Sequence, residues 1–300
     1  MTSKNHNEKQ VTSEPDKKIE LILKVICPAG CGIVAGITSF LAEHGCYISE
    51  LNHFDNQQNS HLFLRTVFHV DSGNADLESL NKDFVEIAER FKMQWKIIPV
   101  SEPTKTILMV SQWDHCLEDL FYRLRKNQLN LDITAVVSNH PVLRPAVERE
   151  GIRFVHLPVN KENKPQQEKV LLEIFKETGS ELIVLARYMQ ILSDDICSKL
   201  SGQLINIHHS FLPGFKGAKP YHQAFKRGVK LIGATAHYVT ADLDEGPIIE
   251  QSIQAVDHTY SPEMLVAIGR DTETRALARA VKLHAEHRVF LDGSKTIIFK

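Results

Sequence analysis

The chain of 300 residues predicts an α/β protein made of two unlike parts. Between residues 19 and 101 the apolar periods follow the order strand, helix, strand, strand, helix, strand, which is the split βαβ arrangement of an α+β unit. From residue 105 to 300, short apolar runs alternate with amphipathic helical stretches, and that alternation indicates a doubly wound, mainly parallel sheet. Ser101-Glu102-Pro103-Thr104 reads as the linker between them, and a hydrophobic content of 43% supplies apolar residues for two cores.

Composition narrows the function classes. A formal net charge of -2 offers no electrostatic footprint for nucleic acid or an anionic membrane. Residues 1–18, MTSKNHNEKQVTSEPDKK, carry no apolar h-region, so they read as a solvated, disordered tail and not as a secretory signal. No window approaches the roughly 18 apolar residues of a membrane span. The cysteines Cys27, Cys31, Cys46, Cys116 and Cys197 are scattered, and Cys27 and Cys31 lack two further placeable ligands. They are expected as reduced, mostly buried thiols of a cytoplasmic protein.

In the first part, Glu20 to Ile26 is an apolar strand run, broken at Cys27-Pro28-Ala29-Gly30-Cys31-Gly32. Apolar residues at Ile33, Val34, Ile37, Phe40 and Leu41 have the helical period, and Gly45 supplies a C-terminal stop. Tyr47 to Asp55 and His61 to Val70 are two strands around a polar turn. Leu77 to Phe91 is a second amphipathic helix, and Trp95 to Val100 a last strand. With Pro28, Gly32-Ile33-Val34 and Leu41-Ala42-Glu43-His44-Gly45, this order resembles the ACT domain family, which has the ferredoxin-like βαββαβ fold. The resemblance implies pairing into a homo-oligomer. It also implies an amino-acid effector held by the loop after the first strand, at Gly30, Gly32 and Ile33. Ala29 stands where that family commonly has Asp or Asn, so an effector role and a purely oligomeric role both stay open.

In the second part, strands are expected at Lys105 to Val110, Asp132 to Ser138, Arg153 to Leu157 and Glu181 to Ala186. Helices are expected at Cys116 to Lys126, Gln166 to Thr178 and Ser193 to Leu200. Ligands of such sheets lie outside the C-terminal strand ends, at the switch in winding. Leu204 to Ile207 is the next apolar run, and it delivers Asn206, His208 and His209 at or just past its end; Ser210 to Pro220 reads as a loop. Leu231 to Val239 follows and carries His237, and Thr240-Ala241-Asp242-Leu243-Asp244-Glu245-Gly246 forms a polar turn. Ser261-Pro262 begins a helix through His287 with an expected break near Gly269-Arg270-Asp271. A hairpin turning at Asp292-Gly293 ends the chain.

Asn206 and His208, two apart in an extended segment, share one face. A buried amide can donate to a developing oxyanion, a histidine can move a proton near neutral pH, and Asp244 can orient a nucleophile or hold the imidazolium. Such a trio suits addition to a carbonyl carbon, and the alternative for these residues is a capped strand end with a satisfied core histidine. The gaps between His208, His209, His222 and His237 match no common zinc pattern, so no metal is expected.

NIHHSFLPGFKGAKPYHQA followed by GATAHYVTADLDEGPII resembles the 10-formyltetrahydrofolate-dependent formyl transferase and hydrolase family, with its Asn-x-His-x-Ser-x-Leu-Pro motif and downstream Asp-x-Gly turn. The resemblance implies a formyl transferase-like fold, no cofactor beyond the folate substrate, and catalytic Asn206, His208 and Asp244. It places the folate against Met189, Gln190, Ile191 and Leu192 and against Thr240, Ala241 and Asp242, with His237 as a weaker candidate. Val110-Ser111-Gln112-Trp113-Asp114-His115-Cys116 has no glycine to cradle a phosphate-bearing acceptor, and Trp113 and Asp114 would obstruct or repel one. Water is then the simplest nucleophile. An ACT-like domain ahead of this unit, and His209-Ser210-Phe211 within it, resemble the hydrolase branch. The expected reaction is hydrolysis of 10-formyltetrahydrofolate to tetrahydrofolate and formate, supplying one-carbon units, for example to purine synthesis. Asp244 would position water and accept or relay its proton while Asn206 and protonated His208 hold the oxyanion. A formyltransferase with a non-phosphate acceptor, and an ACT-type sensor with an inactive hydrolase-like domain, are the alternatives.

Overall fold

The computed structural model describes residues 18–212 and 220–300. Of the expected tail, residues 1–17 lie outside the described residues; Lys18 is paired with Asp71. The expected loop Ser210 to Pro220 lies largely outside them too. The chain divides into two compact units, Met1–Val100 and Ser101–Lys300.

The first unit runs β1 (Glu20–Pro28), α1 (Ile33–Glu43), β2 (Cys46–Asn56), β3 (His61–Val70), α2 (Leu77–Arg90), β4 (Gln94–Pro99). Its antiparallel sheet has the order β2-β3-β1-β4. Leu21, Leu23 and Val25 of β1 alternate into a core closed by Ile33, Ile37, Phe40 and Leu41 of α1 and Leu80, Phe84 and Ala88 of α2. Gly45 takes φ 66 just past α1, where its added Cβ would lie 1.8 Å from the Ser72 carbonyl oxygen, so only glycine closes this turn. Gly32 caps α1 at φ 85. Ile33, expected at the effector loop, is 1% exposed and belongs to the core, so only backbone could serve a ligand there. The helical period that makes Ile33 a first-turn residue also turns its side chain inward.

The second unit holds a seven-stranded sheet in the order β11-β10-β9-β8-β5-β6-β7. Its elements are β5 (Thr104–Val110), α3 (His115–Arg125), β6 (Leu131–Ser138), α4 (Arg144–Arg149), β7 (Phe154–His156), α5 (Lys164–Glu177) and β8 (Leu182–Leu185). They continue with α6 (Asp194–Lys199), β9 (Leu204–His208), α7 (Pro220–Arg227), β10 (Leu231–Tyr238), β11 (Ile248–Ala255), α8 (Pro262–Ala285), β12 (Val289–Asp292) and β13 (Lys295–Ile298). Strands β5 to β9 are parallel, and β10 and β11 extend the sheet antiparallel. Alternate strand residues feed two cores: Leu108, Val110, Val136 and Ile205 pack with α3 and α8, whereas Ile107, Met109, Val137 and Leu204 pack with α5 and α6. No helix among the described residues is long and apolar enough to cross a membrane.

The structure adds to the expected elements and corrects some of them. Helices α4 and α7 stand where the sequence carries no strong period: α4 is short and has Pro145 in its first turn, where proline is tolerated. Strand β11, IIEQSIQA, was not expected, since its polar residues at an antiparallel edge mask the apolar period. Helix α8 has no break at Gly269. An added Cβ there would sit 2.1 Å from Tyr221 Cζ, so the glycine serves close packing of a ring. Asn206 does not lie past a strand end but within β9, in register with His237 of β10.

Candidate active site

Strand β9 turns Ile205 and Ile207 into one core and Leu204, Asn206 and His208 to the other face. The turn after β10 brings Asp244 to them. Asp244 has φ 58, a left-handed conformation that a non-glycine residue adopts at some cost, which is a common mark of a functional position. Gly246 makes the turn possible, because a Cβ there would meet the Tyr238 carbonyl oxygen at 1.8 Å. His208 Nδ1 lies 3.1 Å from Asp244 Oδ1. The hydrogen bond from His208 lowers the Asp244 pKa below the usual carboxylate range, against the opposing effect of its burial, so the carboxylate is ionised at neutral pH.

His237 decides how the amide of Asn206 is turned. Its Nδ1 is 2.9 Å from the Tyr238 carbonyl, which can only accept, so the proton is on Nδ1. Its Nε2 is then an acceptor and receives Asn206 Nδ2 at 3.3 Å. Burial lowers the His237 pKa, so the ring stays neutral and this tautomer persists. The second N–H of the Asn206 amide is left to point elsewhere.

Asn206, His208, His237 and Asp244 line one cavity of about 670 Å³. Met189, Gln190, Ile191, Leu192, Thr240, Ala241 and Asp242 line it as well, so every residue expected at the folate site borders the same space. Met189, Ile191 and Leu243 are exposed apolar side chains on this wall, a surface suited to a flat ring system. Ser111 anchors the segment: its hydroxyl donates to Asn139 Oδ1 at 2.7 Å and accepts from Met189 N–H at 2.9 Å.

The cavity also has a polar wall that was not expected. Glu273 of α8, 1% exposed, accepts from His115 Nε2 at 2.7 Å and from Tyr221 Oη at 2.8 Å, and lies 3.4 Å from Arg187 Nε. Burial would raise its pKa, but His115 and Arg187 outweigh burial and lower it. His209 stacks on His208 with ring centroids 5.2 Å apart, and burial takes its pKa down to about 4, so it is neutral. Trp113 borders the cavity with Arg270 4.9 Å from its ring centroid. One sequence signal pointed here: Glu273 falls on the buried stripe of α8 with Gly269, Ala276 and Ala280, a place where a carboxylate is costly unless paired. Among the described residues, His115, Cys116 and Glu273 bring potential metal ligands within 4.8 Å of one another. The donor set does not suit a cation, since burial, then Glu273, pushes the Cys116 thiol well up and Arg187 already neutralises Glu273.

A mainly parallel sheet with an amide, an imidazole and a carboxylate at one cavity defines a formyl transferase-type protein, and residues 104–281 match the Formyl transferase family. Similarity extends further along the chain. It is 50% identical over 284 residues to a formyltetrahydrofolate deformylase of Corynebacterium sp. (strain P-1), covering 95% of this chain and 99% of that one. Identity to the Bacillus subtilis (strain 168) formyltetrahydrofolate deformylase is 46%, over 92% of this chain and 93% of that one. The crystal structure of a Burkholderia mallei formyltetrahydrofolate deformylase superposes with a TM-score of 0.91 at 50% identity, covering 94% of this chain and all of that one. A glycinamide ribonucleotide transformylase of Symbiobacterium toebii superposes less well, with a TM-score of 0.63 at 27% identity over 66% of this chain and 95% of that one. The chain belongs to the formyltetrahydrofolate deformylase family.

Proposed function

We propose that the chain is a C–N bond hydrolase that converts 10-formyltetrahydrofolate and water into tetrahydrofolate and formate, an activity of one-carbon metabolism. The observation that carries the reading is the Asn206 amide turned by His237 beside the His208–Asp244 pair, in a cavity with an apolar mouth. The pterin ring packs against Met189 to Leu192 and Thr240 to Leu243, and the N10-formyl group reaches Asn206. Water bound at Asp244 attacks the formyl carbon. Its proton passes to the Asp244–His208 pair, and the free Asn206 N–H with the His208 imidazolium stabilises the oxyanion. Collapse breaks the C–N10 bond, the proton goes to N10, and formate leaves.

The first unit, residues 19–101, acts as an ACT-type regulatory or oligomerisation domain in this reading, supported by its βαββαβ order and its β2-β3-β1-β4 sheet. An amino-acid effector would meet backbone at Gly30 and Gly32, and self-association would make the protein a homo-oligomer. The second unit, residues 105–300, carries the catalysis. A cytoplasmic setting fits five cysteines free of disulfides. Incubation with 10-formyltetrahydrofolate and no acceptor tests the proposal: formate must appear stoichiometrically with tetrahydrofolate, and no turnover in water would refute it.

A further inference from the structure

The polar wall of the cavity is expensive and only partly satisfied. Among the described residues, Arg187 Nε and Nη1 are buried without a hydrogen-bond acceptor, and His115 Nδ1 is likewise without one. Replacing such a network by apolar side chains would commonly be neutral or stabilising, so stability alone does not account for it. Arg187 is also at φ 66, in the left-handed region that favours glycine. A strained residue holding a half-satisfied charge, on the wall of the cavity that holds the reacting groups, asks for a function.

The chemistry of Glu273 suggests which function. Relieved of Arg187, its carboxylate would be a buried acceptor on a cavity that also holds Asn206, His208 and Asp244, and a buried carboxylate recognises an amine or ammonium group. An amine placed there would compete with water for the formyl carbon. The guanidinium lies 3.4 Å from that acceptor, neutralises it and repels an ammonium ion. We infer that Arg187, held over Glu273, is the specificity-determining residue that denies amines the formyl group and leaves water to receive it. This rests on the hydrolytic reading above.

The test is Arg187→Gly in the full chain, since glycine accepts the backbone conformation and removes the guanidinium beside Glu273. The purified variant is incubated with 10-formyltetrahydrofolate and glycinamide, and formate and N-formylglycinamide are separated by chromatography against a protein-free control. In the transfer step the amine nitrogen bonds to the formyl carbon, the C–N10 bond breaks, and the amine's proton ends on N10. The ratio of N-formylglycinamide to formate should rise at least about tenfold over that of the natural protein. The rise should vanish in R187G/E273Q, which removes the acceptor carboxylate. A folded R187G that releases formate but formylates no amine overturns the inference alone, as does transfer that survives in the double variant. If the glycine variant fails to fold, Arg187→Ala removes the same charge and is read by the same two outcomes. Absence of formate from the natural protein overturns the hydrolytic reading and this inference with it.

Discussion

Replacing His237 with Leu tests whether the orientation of one amide sets the rate. His237 is 2% exposed and 3.3 Å from Asn206 Nδ2, so the substitution removes an acceptor and little else on the ligand side. An oxyanion donor in such a position contributes about 3 kcal/mol to transition-state stabilisation. A neutral hydrogen bond that fixes its orientation contributes about 1 to 2 kcal/mol of that, so kcat should fall roughly five- to thirtyfold. KM should hold, because the Met189 to Leu192 and Thr240 to Leu243 surfaces are untouched. The assay is a double-mutant cycle on kcat for formate release, with Tm as a folding control. Asn206→Ala alone should cost about a hundredfold or more. Adding His237→Leu to it should cost nothing further, since the amide that His237 holds is already gone. Losses that multiply, or an H237L enzyme with full kcat, would refute the assignment of His237 as a positioning residue.

Asp244→Asn keeps the shape of the turn and removes the charge that faces His208, so kcat should fall by about two orders of magnitude or more, as steady-state formate release will show. On acidification the unfolded chain protonates His209 near its ordinary 6.5 while the folded protein resists until about 4. Its neutral burial is therefore harmless above pH 6.5 and costs stability progressively below it, up to about 3 kcal/mol near pH 4. Urea midpoints of His209→Asn should accordingly fall less steeply between pH 7 and 4.5 than those of the natural protein. Asp244, whose folded pKa is lowered, acts in the same direction at lower pH, its contribution being lost as pH drops through that depressed value. Gly269→Ala must displace the Tyr221 ring, because the new methyl would sit 2.1 Å from Cζ. Overpacking of this kind costs about 1 to 3 kcal/mol in denaturant unfolding, and a neutral result would mean the ring moves freely.

Much of the fold was legible because the periods were strong. The strand His61–Val70 and the helix beginning at Ile33 stand where their apolar spacing puts them. Legibility failed where the local signal was ambiguous. Gly269 reads as a breaker, yet it sits inside α8 and makes room for Tyr221. The polar residues of Ile248–Ala255 hid a strand whose place in the sheet comes from pairing with β10, and a pairing partner is not written locally.

What the sequence determined by itself is the set of groups proposed to react. Asn206, His208 and Asp244 were readable because a strand period and a glycine-bearing turn act over a few residues and carry their side chains with them. What only the tertiary structure decided is what those groups meet. The tautomer of His237 follows from the Tyr238 carbonyl that its Nδ1 meets, and the antiparallel pairing of β10 with β9 sets its other nitrogen against Asn206. The wall of Arg187, His115, Tyr221 and Glu273 gathers residues up to 158 positions apart onto one carboxylate. Burial turns such groupings into shifted pKa values and unpaired donors, and burial is a property of the packed chain that no local pattern contains.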